Sequence, residues 1–144
     1  MIHRRRAREV ALQILFERDR NTSPMSPEAT ARFVSDRLAG DAEAVAFATA
    51  LAAGVEEHRP TIDGLLSSTA QNWRLHRMTP VDRNVLRIAV YEMQHAAEPL
   101  PPAIAIDEAI ELARRYGTTD SPAFVNGILD KIAKAVPATP VPAA

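Results

Sequence analysis

Cysteine is missing from this sequence of 144 residues, and glycine and aromatic residues are scarce. Without cysteine there can be no disulfide bonds, thiolate metal ligands or cysteine nucleophiles. The histidines never recur at a spacing of three or four residues, so the sequence predicts no metal site carried on a helix. It also has no glycine loop of the phosphate-binding type and no nucleophile-elbow serine motif. We therefore expect neither enzyme activity nor a cofactor or metal.

Long hydrophobic runs are missing as well. No stretch approaches the ~18 apolar residues that a membrane-spanning helix needs, and the first residues lead directly into charge instead of a signal-peptide segment. We therefore expect a soluble, cytoplasmic protein without membrane contact. The length suits one domain, which we assign to residues 1–136. Residues 137–144 are rich in proline and alanine and have no periodicity, so we expect a disordered tail.

What the chain does have is apolar residues at intervals of three and four, the spacing of helices with one buried face. The first helix is predicted over residues 4–20, with Ala7, Val10, Ala11, Ile14 and Leu15 as its buried stripe. Capping residues, prolines in first turns and glycines at helix ends set the other boundaries. Further helices are predicted at 27–39, 42–58, 61–72, 80–95 and 102–116, and from 122 to about 135. No alternating strand pattern occurs, so the predicted fold is all-α, with seven helices in a single domain.

Positive charge is concentrated at the N-terminal end, although the net charge is only −1. Four arginines fall within the first eight residues and no acid lies among them, whereas acids outnumber bases between Glu28 and Glu57. Arginine forks fit phosphates and stack on unpaired bases, so this helix predicts contact with a polyanion. Three or four phosphate contacts would give a log–log salt slope of about −2 to −3 for a single strand. The alternative is a solvated helix end without a partner.

Two aromatic residues and one glycine have open interpretations. Phe16 lies off the buried stripe of the first helix and fits either the core or a contact surface. Phe124, one turn into the last helix, fits either core packing or stacking on a base. Gly127 inside the same helix costs up to about 1 kcal/mol relative to alanine, so we expect another backbone or a ligand to pack against it.

Four segments of the chain, in order and together spanning most of it, resemble blocks of the NusB family. They are Arg4–Glu9, Val81–Met93, Ala105–Ala113 and Phe124–Lys131. The resemblance implies a fold of seven helices in two small bundles that share the first helix. It further implies transcription antitermination through the boxA element of nascent ribosomal RNA operon transcripts. The implied partners are NusE, which is also a small-subunit ribosomal protein, and RNA polymerase with other Nus factors.

The resemblance also implies roles for individual residues. The implied RNA-binding residues are Arg4, Arg5, Arg6 and Arg8 at the N-terminus, and Asp120 and Phe124 at the start of the last helix. The implied NusE interface contains Phe16, Asp82 and Arg87. The resemblance assigns nothing between Asn72 and Met78, gives the tail no role, and leaves open the preferred RNA sequence and whether the protein forms a homodimer.

Two other classes of function are compatible with parts of the sequence. A NusB-like domain also precedes the catalytic domain of some ribosomal RNA cytosine methyltransferases. Those enzymes need a cysteine, which this chain lacks, and a nucleotide-cofactor domain, for which the chain leaves no room. The second alternative is a helical scaffold that binds only protein. RNA binding that falls with salt and with Arg5→Ala or Arg6→Ala would separate an RNA-binding adaptor from such a scaffold.

Overall fold

A computed structural model describes residues 2–21, 23–70 and 74–135 of the chain. Seven α-helices and no strand occur within these ranges, which confirms the all-α prediction. The helices are α1 (Ile2–Arg20), α2 (Pro27–Arg37), α3 (Ala42–Glu57), α4 (Arg59–Thr69), α5 (Pro80–Gln94), α6 (Pro102–Tyr116) and α7 (Ser121–Ala135). Within the same ranges, none of them has the length and apolar character of a membrane-spanning helix.

Side-chain caps fix the starts of three helices, as the sequence predicted. Ser26 Oγ accepts a hydrogen bond from the Ala29 amide at 3.1 Å, and Asp41 Oδ1 accepts one from the Ala44 amide at 3.2 Å. Each cap satisfies one amide that has no partner inside its helix. The third cap is Thr79, whose Oγ1 accepts from the Asp82 amide at 3.2 Å.

The helices form two small bundles that share α1, as the resemblance implied. In the first bundle α1 packs on α3, and α2 covers both. In the second bundle α1 packs on α5, which also contacts α4, α6 and α7. The predicted stripe of α1 is buried throughout, and Val10 and Ile14 are among the largest fully buried side chains. Apolar burial on two sides of one helix therefore joins the bundles into one core.

Several local predictions need correction. Helix α2 ends at Arg37, two residues early, because Ala39 and Gly40 adopt positive φ angles of 52° and 71°. Pro60 does not precede α4 but occupies its first turn, where a missing amide costs nothing. A 3₁₀ turn at Leu75–Arg77 was not predicted. The predicted end of the fourth helix at residue 72 is wrong, because α4 ends at Thr69 with the non-helical Ala70 as its C-cap. The predicted tail at 137–144 lies outside the described residues.

Candidate nucleic-acid interface

A groove with a volume of about 1170 Å³ lies where the start of α1 meets α3 and α6. Its lining combines five arginines, three glutamates and several apolar side chains. The residues are Arg4, Arg5, Arg6, Arg8, Glu9, Glu43, Ala44, Phe47, Leu100, Ile104, Glu108 and Arg115. The structure therefore brings all four predicted N-terminal arginines to one site.

Phe47 of α3 forms the aromatic floor of the groove. The guanidinium carbon of Arg4 lies 5.0 Å from the ring centroid and that of Arg8 lies 5.3 Å away, both within cation–π range. Ile104, at the start of α6, is 49% exposed and lines the same groove. Neither residue could be assigned from the sequence, because Phe47 and Ile104 lie far from α1 in the chain and only the fold brings them to the arginines.

Arg5 is held by a carboxylate of α6. Its Nε and Nη2 atoms donate to the two oxygens of Glu108 at 3.3 and 2.9 Å. The hydrogen bond to Glu108, and then the charge of the same carboxylate, raise the pKa of Arg5 above its ordinary value, so Arg5 stays charged. A guanidinium has five N–H donors, and this pairing occupies only one edge of it. The remaining donors of the exposed Arg5 side chain are available to a ligand.

Arg8 differs from the exposed cation that the sequence led us to expect. Its side chain is 7% exposed, and it donates through Nε and Nη2 to the two oxygens of Glu92, each at 2.8 Å. Glu92 is itself buried on α5. A buried charge needs such a partner, since leaving it unpaired is costly. The positive charge of Arg8 is therefore neutralised within the fold, which argues against its predicted direct contact with phosphate.

Glu9, which also lines the groove, accepts hydrogen bonds from three further side chains. It accepts hydrogen bonds from Arg6 at 2.8 Å, from Arg115 at 3.0 Å and from the Tyr116 hydroxyl at 3.0 Å. Burial, and then the hydrogen bond to Glu9, raise the pKa of Tyr116, so its hydroxyl remains a donor. Both arginine side chains remain substantially exposed, so each keeps donors directed at solvent.

The residues predicted at the start of α7 lie apart from the groove lining. Asp120 is exposed and immediately precedes the helix, whereas Phe124 is half-buried and packs against the core. Gly127 is exposed, and a Cβ built on it would meet nothing within 4 Å among the described residues. Of the two expectations for Gly127, a packed neighbouring backbone is therefore wrong within the described chain.

A second charged cluster fixes the other end of α1 to α5. Asp19 accepts from Arg83 at 2.7 Å, from Asn84 at 3.1 Å and from Arg87 at 3.4 Å. Burial favours the neutral acid, but the hydrogen bond from Arg83 and the charge of Arg87 outweigh it and lower the pKa of Asp19. Arg83 also donates to the carbonyls of Leu75 and Met78 at 3.2 Å, which holds the 3₁₀ turn in place.

The three residues predicted to contact NusE are not equally accessible. Phe16 is half-buried, lies outside the described core cluster and has the guanidinium of Arg20 5.4 Å from its ring centroid. Arg87 is 3% exposed and donates to both oxygens of Asp63, at 2.8 and 2.9 Å, so its observed role is structural. Asp82 is also buried. Its Oδ1 has no hydrogen-bond partner among the described residues.

Comparison with known proteins decides the family. The sequence model of the NusB family matches residues 5–134 of the chain. The chain belongs to the NusB family. The match includes the four segments on which the resemblance was based, except for Arg4 at the start of the first, and it extends from Arg5 almost to the end of α7.

Individual NusB proteins show the same relationship. The transcription antitermination protein NusB of Bdellovibrio bacteriovorus is 43% identical over 92% of this chain and 96% of its own length. The solved structure of T. maritima NusB is 39% identical, with a TM-score of 0.75 over 91% of this chain and 90% of that one. A structure of NusB and NusE in complex with dsRNA is 27% identical, with a TM-score of 0.78 over 94% of this chain and 99% of that one. Transcription antitermination proteins, which are not enzymes, thus match the chain over nearly its whole length.

Proposed function

We propose that this NusB-family chain is a transcription antitermination factor that binds unpaired RNA in the groove between α1, α3 and α6. The observation that carries the proposal is the juxtaposition of exposed arginine donors with an aromatic ring and an exposed aliphatic side chain. Arg4 and Arg5 offer guanidinium groups to phosphates, while Phe47 and Ile104 offer apolar surface to bases. A solved relative in complex with NusE and dsRNA supports RNA as the ligand class.

The composition of the groove favours a single strand over a duplex. Bases can stack on a ring such as Phe47 only when they are unpaired, whereas a duplex presents phosphates and sugars. Arg4, Arg5 and Arg6 would contribute most of the phosphate contacts, because Arg8 is neutralised by Glu92. We propose boxA-type RNA of ribosomal RNA operon transcripts as the target, with Asp120 and Phe124 of α7 as further contacts. Binding to a nascent transcript implies a cytoplasmic protein.

We propose that NusE contacts the opposite end of α1. Phe16 lies toward that end, and the ion pairs of Asp19 with α5 bring the start of α5 to it. Asp82 lies in the first turn of α5, and its buried Oδ1 has no donor within the described structure, so it would have to become exposed for a NusE lysine, arginine or amide to bond to it. Arg87 would support this surface from the interior by holding Asp63 and Asn84.

We further propose that this protein, NusE and RNA together bind RNA polymerase and further Nus factors, because family membership implies these partners. A homodimer is the alternative use of an exposed apolar residue such as Ile104. Sedimentation of the chain at increasing concentration, with and without RNA, tests this alternative. A homodimer that covers the groove would dissociate into monomers when RNA binds.

Fluorescence anisotropy tests the proposal directly. The probes are a boxA-type RNA, a scrambled RNA of the same composition and the boxA-type RNA annealed to its complement, each with and without NusE. We expect the single-stranded boxA-type RNA to bind most tightly, and NusE to strengthen its binding through shared contacts. Equal affinity for the boxA-type and scrambled strands would refute sequence recognition. Tighter binding of the duplex would refute the stacking role of Phe47.

A further inference from the structure

We propose that Glu108 is a specificity-determining residue that competes with RNA phosphate for Arg5. This inference rests on the proposed function, since it concerns the same groove. Glu108 lies on α6 with both carboxylate oxygens turned toward α1 arginines, one edge bonded to Arg5 and Oε1 3.5 Å from Arg8 Nη1. Its carboxylate therefore occupies the Nε–Nη2 edge of Arg5, an edge that could otherwise bind a phosphate.

Structural need does not account for the Arg5–Glu108 pair. The Arg5 side chain is 57% exposed and that of Glu108 is 17% exposed, and a pair with one partner this open to solvent contributes little to stability. Arg8 does not depend on Glu108 either, because Glu92 already binds it through two shorter hydrogen bonds. Fold stability is therefore expected to change little when the charge of Glu108 is removed.

The charge balance of the groove gives the carboxylate its effect. Five arginines line the groove with three glutamates, and Arg8 is further neutralised by Glu92 outside the lining. One negative charge is therefore a large fraction of the net charge that attracts a polyanion. An RNA strand that binds only through its phosphates must either displace Glu108 from Arg5 or bind close to its negative charge. A strand whose bases also stack in the groove gains binding free energy that offsets this cost. Glu108 thereby penalises non-specific RNA more than the correct RNA.

The Glu108→Gln variant separates charge from geometry. The amide oxygen of glutamine can still accept a hydrogen bond from Arg5, but it carries no charge to repel phosphate. We expect scrambled single-stranded RNA to bind about fivefold more tightly to this variant at low salt. The affinity for the boxA-type RNA should increase less, so that the ratio of the boxA-type affinity to the scrambled affinity falls. One added phosphate contact should steepen the log–log salt slope by about 0.7.

Glu57→Gln is the matched control, because it makes the same chemical change at an exposed position. Glu57 is the last residue of α3, about 15 Å along that helix from Phe47 and beyond the screening length at physiological salt. We expect its RNA affinities to equal those of the unmodified chain. The melting temperatures of both variants should stay within about 3 °C of the unmodified chain.

Heparin affinity chromatography supplies a readout that does not depend on RNA function. Competition by Glu108 predicts later elution of Glu108→Gln than of both Glu57→Gln and the unmodified chain. Co-elution of the three proteins, together with equal RNA affinities, would overturn the role of Glu108 while leaving RNA binding intact. Later elution of Glu108→Gln without RNA binding by any of the proteins would instead overturn the proposed function, and the specificity role with it.

Discussion

The ion pair between Arg8 and Glu92 should contribute more to folding than any exposed arginine of the groove. Arg8→Met leaves the Glu92 carboxylate buried without its two short hydrogen bonds. Removing one partner of a buried pair costs about 3 to 5 kcal/mol. For a chain of this length, that loss lowers the melting temperature by roughly 10 to 15 °C. Arg5→Met is the control, since its exposed pair with Glu108 should contribute little to stability.

A double-mutant cycle completes this test by thermal and urea unfolding. Arg8→Met combined with Glu92→Leu replaces both charges with apolar groups, so it should recover most of the lost stability. RNA affinity of the double variant should stay within about twofold of the unmodified chain if Arg4 and Arg5 make the direct contacts. Our account of Arg8 would be refuted if Arg8→Met unfolded no earlier than Arg5→Met. It would also be refuted if the stable double variant lost RNA binding.

Three further predictions concern the rest of the fold. Gly54→Ala should destabilise the protein by about 1 to 3 kcal/mol in urea unfolding, because its Cβ would overlap the Tyr91 ring; an unchanged midpoint would show that the ring can move. Burial, and then the charge of His58, lower the pKa of His95, so the folded chain favours the neutral ring. The contribution of neutral His95 to stability should therefore be fully present above about pH 6.5 and decrease as the pH drops below it. The difference in melting temperature between pH 7.5 and 5.5 should accordingly be smaller in His95→Asn than in the unmodified chain. Gly127→Ala should raise stability by up to about 1 kcal/mol, since a Cβ built on this helical position meets nothing within 4 Å among the described residues. A loss of RNA affinity in the stabilised variant would identify Gly127 as a ligand contact.

The helices could be predicted because their signals are local. Ser26, Asp41 and Thr79 act as caps in the structure, and the stripe that contains Val10 and Ile14 is buried as its spacing indicated. The 3₁₀ turn at Leu75–Arg77 was missed because its position depends on Arg83, which bonds its carbonyls from another helix. Such tertiary bonds leave no periodic trace in the sequence.

The candidate site could be predicted only in part, again because tertiary contacts decide which residues form it. The sequence showed where positive charge is concentrated, but not which arginines are neutralised within the fold and which keep donors available to a ligand. Arg8 and Glu92 are 84 positions apart, so the neutralisation of Arg8 became visible only with the fold. The same holds for Phe47 and Ile104, whose contribution depends on α3 and α6 meeting the start of α1.

The salt dependence of RNA binding tests the central claim most directly. We would measure affinity for the single-stranded boxA-type RNA from low to physiological salt in the unmodified chain and two double variants. Arg4→Ala with Arg5→Ala removes exposed groove arginines, and Arg32→Ala with Arg37→Ala removes two exposed arginines of α2, one of them also over a phenylalanine ring. A slope of about −2 that falls by about 1.4 only in the groove variant would support the account. Equal slopes for the three proteins would contradict it.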